Sequence, residues 1–198
     1  MSKRHYPIRI PRYAAGIRAQ ESRTGTGRSW WAKRWRTLLE GLGLKGRLGR
    51  GRNYAMSGQV TGMELEGNLV RACVQGTRED PYSVTIDFRV PDEPARARIV
   101  AAIKAEPIFV ARLLADDLPT EIEGVFRAAG CDLFPGGRLT GVEDRRYDMV
   151  TSCTCPDYAN PCKHSCAVLY ILGEEIARRP FTLLELRGIR WEDLIDED

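Results

Sequence analysis

The sequence predicts an α+β fold in which an antiparallel β-meander is combined with helices and preceded by a basic N-terminal arm. Three observations lead to this prediction. Apolar residues alternate with period two between residues 59 and 90, they recur at helical spacing before and after that stretch, and basic residues are concentrated in the first 54 positions. With 198 residues, 43% of them hydrophobic, the chain can form one domain with an appendage or two small domains.

Charge is distributed unevenly along the chain. Residues 1–54 contain 14 Lys or Arg and 2 Asp or Glu, a net charge of +12, whereas residues 55–198 contain 16 and 25, a net charge of −9. Prolines and glycines interrupt residues 1–28, which we expect to form an arm. A basic arm ahead of an acidic body indicates contact with a polyanion, internal docking of the arm, or both.

The first predicted helix follows the arm. Trp31, Trp35 and Leu39 recur at helical spacing and predict a helix over 30–40, with Ser29 as a candidate N-cap. The Gly- and Arg-rich stretch 41–54 is expected to form a loop, because it shows no apolar period.

Next come the three strands of the predicted meander, over residues 59–65, 69–75 and 82–90. The Glu66-Gly67-Asn68 segment is a hairpin turn signal between the first two. One face of the third strand is expected to be buried, and it carries Val84, Ile86 and Phe88.

Helical spacing returns after Glu93. Pro107 divides two predicted helices, and Gly130 ends a third helix over 119–129. The remaining predictions are a loop over 132–145, a strand over 147–152 and a helix over 161–178.

Four of the six cysteines lie within the 14 positions from 153 to 166. In a reducing compartment such crowding indicates metal ligation rather than disulfide bonds. A C-x-C pair at a strand end supplies two thiolates, and a C-x-H pair at a helix start supplies a thiolate and an imidazole. These are ligands that zinc binds as a tetrahedron. The predicted ligands are Cys153, Cys155, Cys162 and His164; the alternative is a set of unliganded buried cysteines or a redox pair.

The other cysteines are expected to serve the core. Cys166 lies two residues beyond His164, roughly 200° around the helix, and should point away from the metal. Cys73 and Cys131 are expected to be apolar fillers. His5 lies in the arm and is expected to be solvated.

The Cys153-x-Cys155, six-residue gap, Cys162-x-His164 pattern resembles the SWIM-type zinc finger. The resemblance implies a C-terminal ββα unit, a short hairpin and a helix wrapped on one Zn²⁺ ion. The Trp30-Trp31 helix, the Gly/Arg stretch and the meander also look like small bacterial SWIM-finger proteins. Such proteins are typically considered partners of SWI2/SNF2-type helicases, and SWIM fingers are regarded as DNA-binding or protein-interaction modules.

The basic residues around the first helix are candidates for contact with DNA or RNA phosphates, which Lys and Arg bind independently of sequence. The candidates are Arg28, Lys33, Arg34, Arg36, Lys45, Arg47, Arg50 and Arg52. Trp30 or Trp31 is a candidate for stacking on a base. The alternative is that the tryptophans belong to the core and the basic groups dock on the acidic body or on a partner.

The sequence therefore predicts three segments: a basic arm with a Trp-rich helix (1–54), a β-meander with helices (55–145) and a zinc finger with a C-terminal helix (146–198). We expect a non-catalytic accessory protein, because four protein ligands close the zinc sphere and no P-loop motif is present. A protein-interaction adaptor without nucleic-acid contact is the alternative, and a zinc-dependent hydrolase is a distant third. With neither a signal peptide nor a long apolar run, a cytoplasmic location is expected.

Overall fold

A computed structural model describes residues 10–20, 29–135 and 148–195 and shows an α+β architecture. The strands within these ranges are β1 (Val60–Glu66), β2 (Leu69–Val74), β3 (Tyr82–Phe88) and β4 (Met149–Cys153). The helices are α1 (Trp30–Gly41), α2 (Lys45–Met56), α3 (Glu93–Lys104), α4 (Pro107–Leu114), α5 (Glu121–Ala128), α6 (Lys163–Arg178), α7 (Thr182–Glu185) and α8 (Trp191–Leu194). No helix in the described part is long and apolar enough to cross a membrane.

The four strands form one antiparallel sheet in the order β1-β2-β3-β4. The predicted meander is therefore confirmed, and so is the turn at Gly67 and Asn68. The C-x-C strand of the finger joins this sheet, because β4 pairs with β3 and places Cys153 opposite Val84. Part of the arm extends the sheet edge through an antiparallel bridge between Ile17 and Val60.

Helix α6 lies at the centre of the molecule and contacts all four strands. Side chains on most of its circumference are buried, which is typical of a helix enclosed on every side. Helix α1 packs on the middle and the C-terminal end of α6, where the Trp35 and Trp31 indoles donate hydrogen bonds to Leu169 O and Ala177 O at 3.2 and 3.4 Å. The tryptophans are thus core residues on this side of the sheet.

The prediction of a loop over 41–54 was wrong, because Lys45–Met56 forms helix α2. Glycine disfavours an isolated helix by about 1 kcal/mol per residue relative to alanine. Packing of α2 on α6 compensates for this cost, and Gly51 permits that packing. A Cβ atom at position 51 would lie 2.4 Å from Cys166 Cβ, so only glycine lets the two helices approach this closely.

The helices after the meander were predicted correctly. Asp92 caps α3 by accepting a hydrogen bond from Ala95 N at 2.9 Å, and Pro107 begins α4. Ser29 precedes α1 as expected, but its side chain makes no capping hydrogen bond. Most of the predicted loop over 132–145, namely residues 136–145, lies outside the described residues.

One hydrophobic cluster contains residues from all three predicted segments, among them Trp35 of α1, Ile86 of β3 and Leu169 of α6. Arg187 is a buried charged residue that links three segments of the chain. Its side chain is buried and donates hydrogen bonds to Leu133 O at 3.1 Å and Arg89 O at 2.7 Å. The three-segment division itself stays a prediction.

Candidate metal centre

Four side chains converge at the junction of β4 and α6. Cys153 is the last residue of β4, and Cys155 follows it in the turn. Cys162 is the N-cap of α6 and keeps an extended backbone, while His164 lies in the first helical turn. Strand end and helix start therefore supply two donors each, as the sequence spacing predicts.

The donor atoms of these four residues all lie within 4.8 Å of one another. His164 Nδ1 is 3.8 Å from Cys153 Sγ and 3.7 Å from Cys162 Sγ. Ligand bonds of about 2.0–2.3 Å in a tetrahedron give ligand–ligand distances of about 3.3–3.8 Å. The donor set therefore fits a four-coordinate metal ion, with His164 binding through Nδ1.

The pKa values of the three thiols are shifted in different directions. A hydrogen bond with the Cys153 thiol, together with contacts to His164 and Ser165, lowers the pKa of Cys162. The same hydrogen bond raises the pKa of Cys153, and burial raises that of Cys155. The hydrogen bond with Cys153 thus favours a thiolate at Cys162, and metal binding would require the other two thiols to lose their protons.

The loop between the ligand pairs is fixed by side-chain hydrogen bonds. Thr151 Oγ1 donates to Asn160 Oδ1, and Asn160 Nδ2 donates to Thr151 O. Asp157 accepts a hydrogen bond from Ala159 N at 3.1 Å, and the peptide bond before Pro161 is cis. These contacts hold the loop against β4 and leave one ring, Tyr158, 98% exposed.

Two tyrosines pack around the imidazole of His164. The Tyr82 ring lies 4.6 Å from it at 34°, and the Tyr54 ring lies 5.3 Å from it at 65°. Sequence reasoning missed both residues. Tyr82 lies two residues before Val84 in β3, so the alternation of the strand predicts that both side chains point to the buried face. Tyr54 belongs to a helix that was predicted to be a loop.

The remaining cysteines and histidine lie elsewhere. Cys166 is fully buried against Gly51, and burial raises its pKa to about 12, which confirms that it is a core residue. The assignment of Cys73 as a core filler was wrong, because it lies on the exposed face of β2. Cys131 is half-buried. His5 lies outside the described residues.

The predicted phosphate-contacting residues separate into distinct groups. Arg34 forms an ion pair with Glu123 at 3.5 Å, whereas Lys33 and Arg36 are exposed on α1. Arg50 and Arg52 are exposed on α2 and Arg47 is half-buried there. Arg28 and the side chain of Lys45 lie outside the part of the chain that the structure describes.

The tryptophan rings of α1 offer little accessible surface on which a base could stack. Trp31 is buried, and Trp30 is half-buried with its ring edge on Phe134 and its indole N–H bonded to Leu118 O at 2.8 Å. The alternative that these rings belong to the core is confirmed.

Comparison with known proteins agrees with this geometry. Residues 145–173 match the model of the SWIM zinc finger family. Over 189 residues the chain is 36% identical to the uncharacterized protein Rv2102 of Mycobacterium tuberculosis. The match covers 96% of this chain and 65% of that protein, so the chain spans just under two thirds of its relative's length. No solved structure matches.

Proposed function

We propose that this chain, whose residues 145–173 match the SWIM zinc finger family, is a zinc-binding, non-catalytic accessory protein that binds nucleic acid, a SWI2/SNF2-type helicase, or both. The observation that carries the proposal is the metal centre itself, where three thiols and one imidazole stand at tetrahedral spacing. Such a donor set is typical of structural zinc.

The zinc ion has a structural role. Cys153, Cys155, Cys162 and His164 would together hold a Zn²⁺ ion, and this full set of four protein ligands would leave no position for an activated water. Structural zinc sites stabilise the folded state directly. The ion would therefore hold the end of β4 against the start of α6 and carry out no chemistry of its own.

Unpaired cations support nucleic acid as a ligand. The side chains of Arg47 and Arg50 have no carboxylate partner among the described residues, whereas many arginines of the acidic body, such as Arg112 and Arg179, form ion pairs. Unpaired cations provide sequence-independent affinity for phosphates. The helicase partner rests on the resemblance to small SWIM-finger proteins.

A protein-interaction adaptor is the second candidate, and an apolar face on α4 favours it. Ile108 is 59% exposed and Leu114 is 60% exposed, and the exposed Ala111 lies between them on the same side of the helix. Exposed apolar side chains in a row are typical of a protein-contact surface.

Binding to DNA and RNA across a salt titration separates the two candidates. A nucleic-acid-binding protein should associate at about 50 mM salt and lose affinity steeply as salt rises. If the zinc-loaded chain shows no association at low salt, the adaptor becomes the leading candidate. In that case a pull-down with a purified SWI2/SNF2-type helicase should retain the wild type and release an Ile108→Asp, Leu114→Asp variant.

A further inference from the structure

Between residues 46 and 53, one outward face of helix α2 carries two glycines and an asparagine. Gly46, Gly49 and Asn53 share this face at i, i+3 and i+7, and all three are exposed. A Cβ atom at Gly49 would meet nothing within 4 Å, and one at Gly46 only Arg50 Nη1 at 3.8 Å. Packing within this chain therefore requires Gly51 but neither Gly46 nor Gly49, although each helical glycine costs about 1 kcal/mol relative to alanine.

Two arginines and a tyrosine form a row beside this glycine face. Arg47, Arg50 and Tyr54 follow one another at i, i+3 and i+7 and span about 10 Å of the helix. Neither arginine side chain has a carboxylate partner in the described part of the chain. At the end of the row, Lys163 Nζ lies 5.6 Å from the centroid of the Tyr54 ring. The row therefore passes from α2 to the first residue of α6, next to the metal centre.

We propose that single-stranded nucleic acid binds across α2, with its sugar–phosphate backbone against the face of Gly46 and Gly49 and its phosphates contacting Arg47, Arg50 and Lys163. This inference rests on the proposed nucleic-acid function and deepens it by giving the strand type and the path. The absence of side chains at the two glycines lets a backbone approach the helix closely. The three cations are Arg47 and Arg50 on α2 and Lys163 at the Tyr54 end of the row, so they can contact about three phosphates of a single strand.

An exposed ring at the end of this path favours a single strand over a duplex. Tyr158 is 98% exposed and three residues from Cys155, so its Cα lies within about 11 Å of the Cys155 Cα. The Tyr54 ring lies 5.3 Å from the His164 ring, and the donor atoms of His164 and Cys155 lie within 4.8 Å of each other. Unpaired bases stack on such rings, whereas the bases of a duplex are not available for stacking.

The exposed cations of α1 lie off this path. Helix α1 is fixed to the middle and the C-terminal end of α6 through Leu169 and Ala177, whereas Tyr54 of α2 contacts His164 at the N-terminal end. Lys33 and Arg36 are consequently matched controls for Arg47 and Arg50: both pairs are exposed or half-exposed and lack carboxylate partners in the described residues.

Fluorescence anisotropy with a labelled oligo-dT of about 15 nucleotides tests the proposal, with oligo-rU and a duplex of the same length for comparison. Arg47→Ala, Arg50→Ala should weaken binding at least tenfold and reduce the slope of log affinity against log salt by about 1.4. Gly46→Leu, Gly49→Leu should weaken it at least tenfold while Tm and zinc content do not fall. Tyr158→Ala should weaken binding about tenfold.

Two control variants should bind within about twofold of the wild type, because their residues lie off the proposed path. They are the double variant Lys33→Ala, Arg36→Ala on α1 and Ala101→Leu on α3, which adds side-chain bulk elsewhere. If wild type binds and both α2 variants bind equally well, the inference is overturned and the proposed function stands. Duplex binding as tight as oligo-dT binding overturns the single-strand assignment. If wild type binds neither DNA nor RNA, the proposed nucleic-acid function fails together with the inference.

Discussion

His164 is oriented by packing as well as by its ligand role. Its Nδ1 faces the thiols, and its Nε2 has no hydrogen-bond partner among the described residues. Metal-bound histidines commonly donate their second N–H to a carboxylate, a carbonyl or water, which fixes the ring. Here the rings of Tyr82 and Tyr54 enclose the imidazole instead. Packing against these two aromatic rings thus orients the imidazole in place of a hydrogen-bond partner.

The first prediction concerns the ligands themselves. Purified wild type should contain one zinc ion per chain, and Cys153→Ser or His164→Ala should lose it, since each removes one of four donors. Elemental analysis after gel filtration gives the stoichiometry. Cys166→Ala is the matched control and should retain zinc, because Cys166 faces Gly51. Loss of zinc in that variant would contradict the ligand assignment.

The second prediction concerns the wall of the imidazole. Tyr82→Leu should weaken zinc affinity about tenfold or more, the range found when groups that orient metal ligands are removed. Competition with a chromogenic chelator measures this change. Tyr13→Leu is the control, because Tyr13 is exposed on the arm. Equal affinity in the two variants would show that Tyr82 does not position His164.

At the scale of elements, apolar periodicity predicted the helices and strands that bury one regular face. Helix α1 and strand β3 bury one regular face each, so their residues carry the period that reveals them. Helix α2 carries no such signal, because its residue at the closest approach to α6 is Gly51. Its helical conformation depends on a contact with Cys166, 115 positions later in the chain, which no local pattern encodes.

The candidate site divides in the same way. The convergence of the four candidate ligands was predictable, because a metal imposes short sequence spacings on its donors. Tyr54 was not predictable, since its position beside His164 follows from the packing of α2 on α6. Lys163 lies next to a ligand in sequence, yet only the position of the Tyr54 ring shows where its charge is directed.

The third prediction separates two glycines of α2. Gly51→Ala should lower the free energy of unfolding by about 1–3 kcal/mol, because the added methyl group overlaps Cys166. Gly49→Ala should raise it by up to about 1 kcal/mol, since its Cβ meets open space and alanine favours the helix. Urea unfolding monitored by circular dichroism measures both. The same sign for both substitutions would contradict the close contact between α2 and α6.

At the scale of the whole molecule, the metal centre and the hydrophobic core share one helix. Helix α6 begins at Cys162 and His164 and then buries Leu169, Leu172 and Ile176 in the core. The other ligand-bearing element, β4, is hydrogen-bonded to β3 of the meander. Metal binding and core formation are therefore expected to stabilise each other.

The fourth prediction tests whether the finger folds alone. A fragment of residues 146–198 should stay largely unfolded in the presence of zinc, because β4 would lack its β3 partner and α6 would expose apolar side chains on most of its surface. Circular dichroism and limited proteolysis of the zinc-loaded fragment test this. A protease-resistant, helical fragment would instead establish the finger as an independent domain.

The central position of α6 has a consequence for synthesis on the ribosome. Residues 30–88 emerge first, but the helix that covers their apolar faces is made about 75 residues later. Contacts between α2 and α6 are long in sequence, and such contacts slow folding. The nascent chain should therefore remain protease-sensitive until residue 178 has left the exit tunnel, with metal uptake and collapse as one late event. During that interval the exposed apolar strands depend on chaperones rather than on their own sequence for protection.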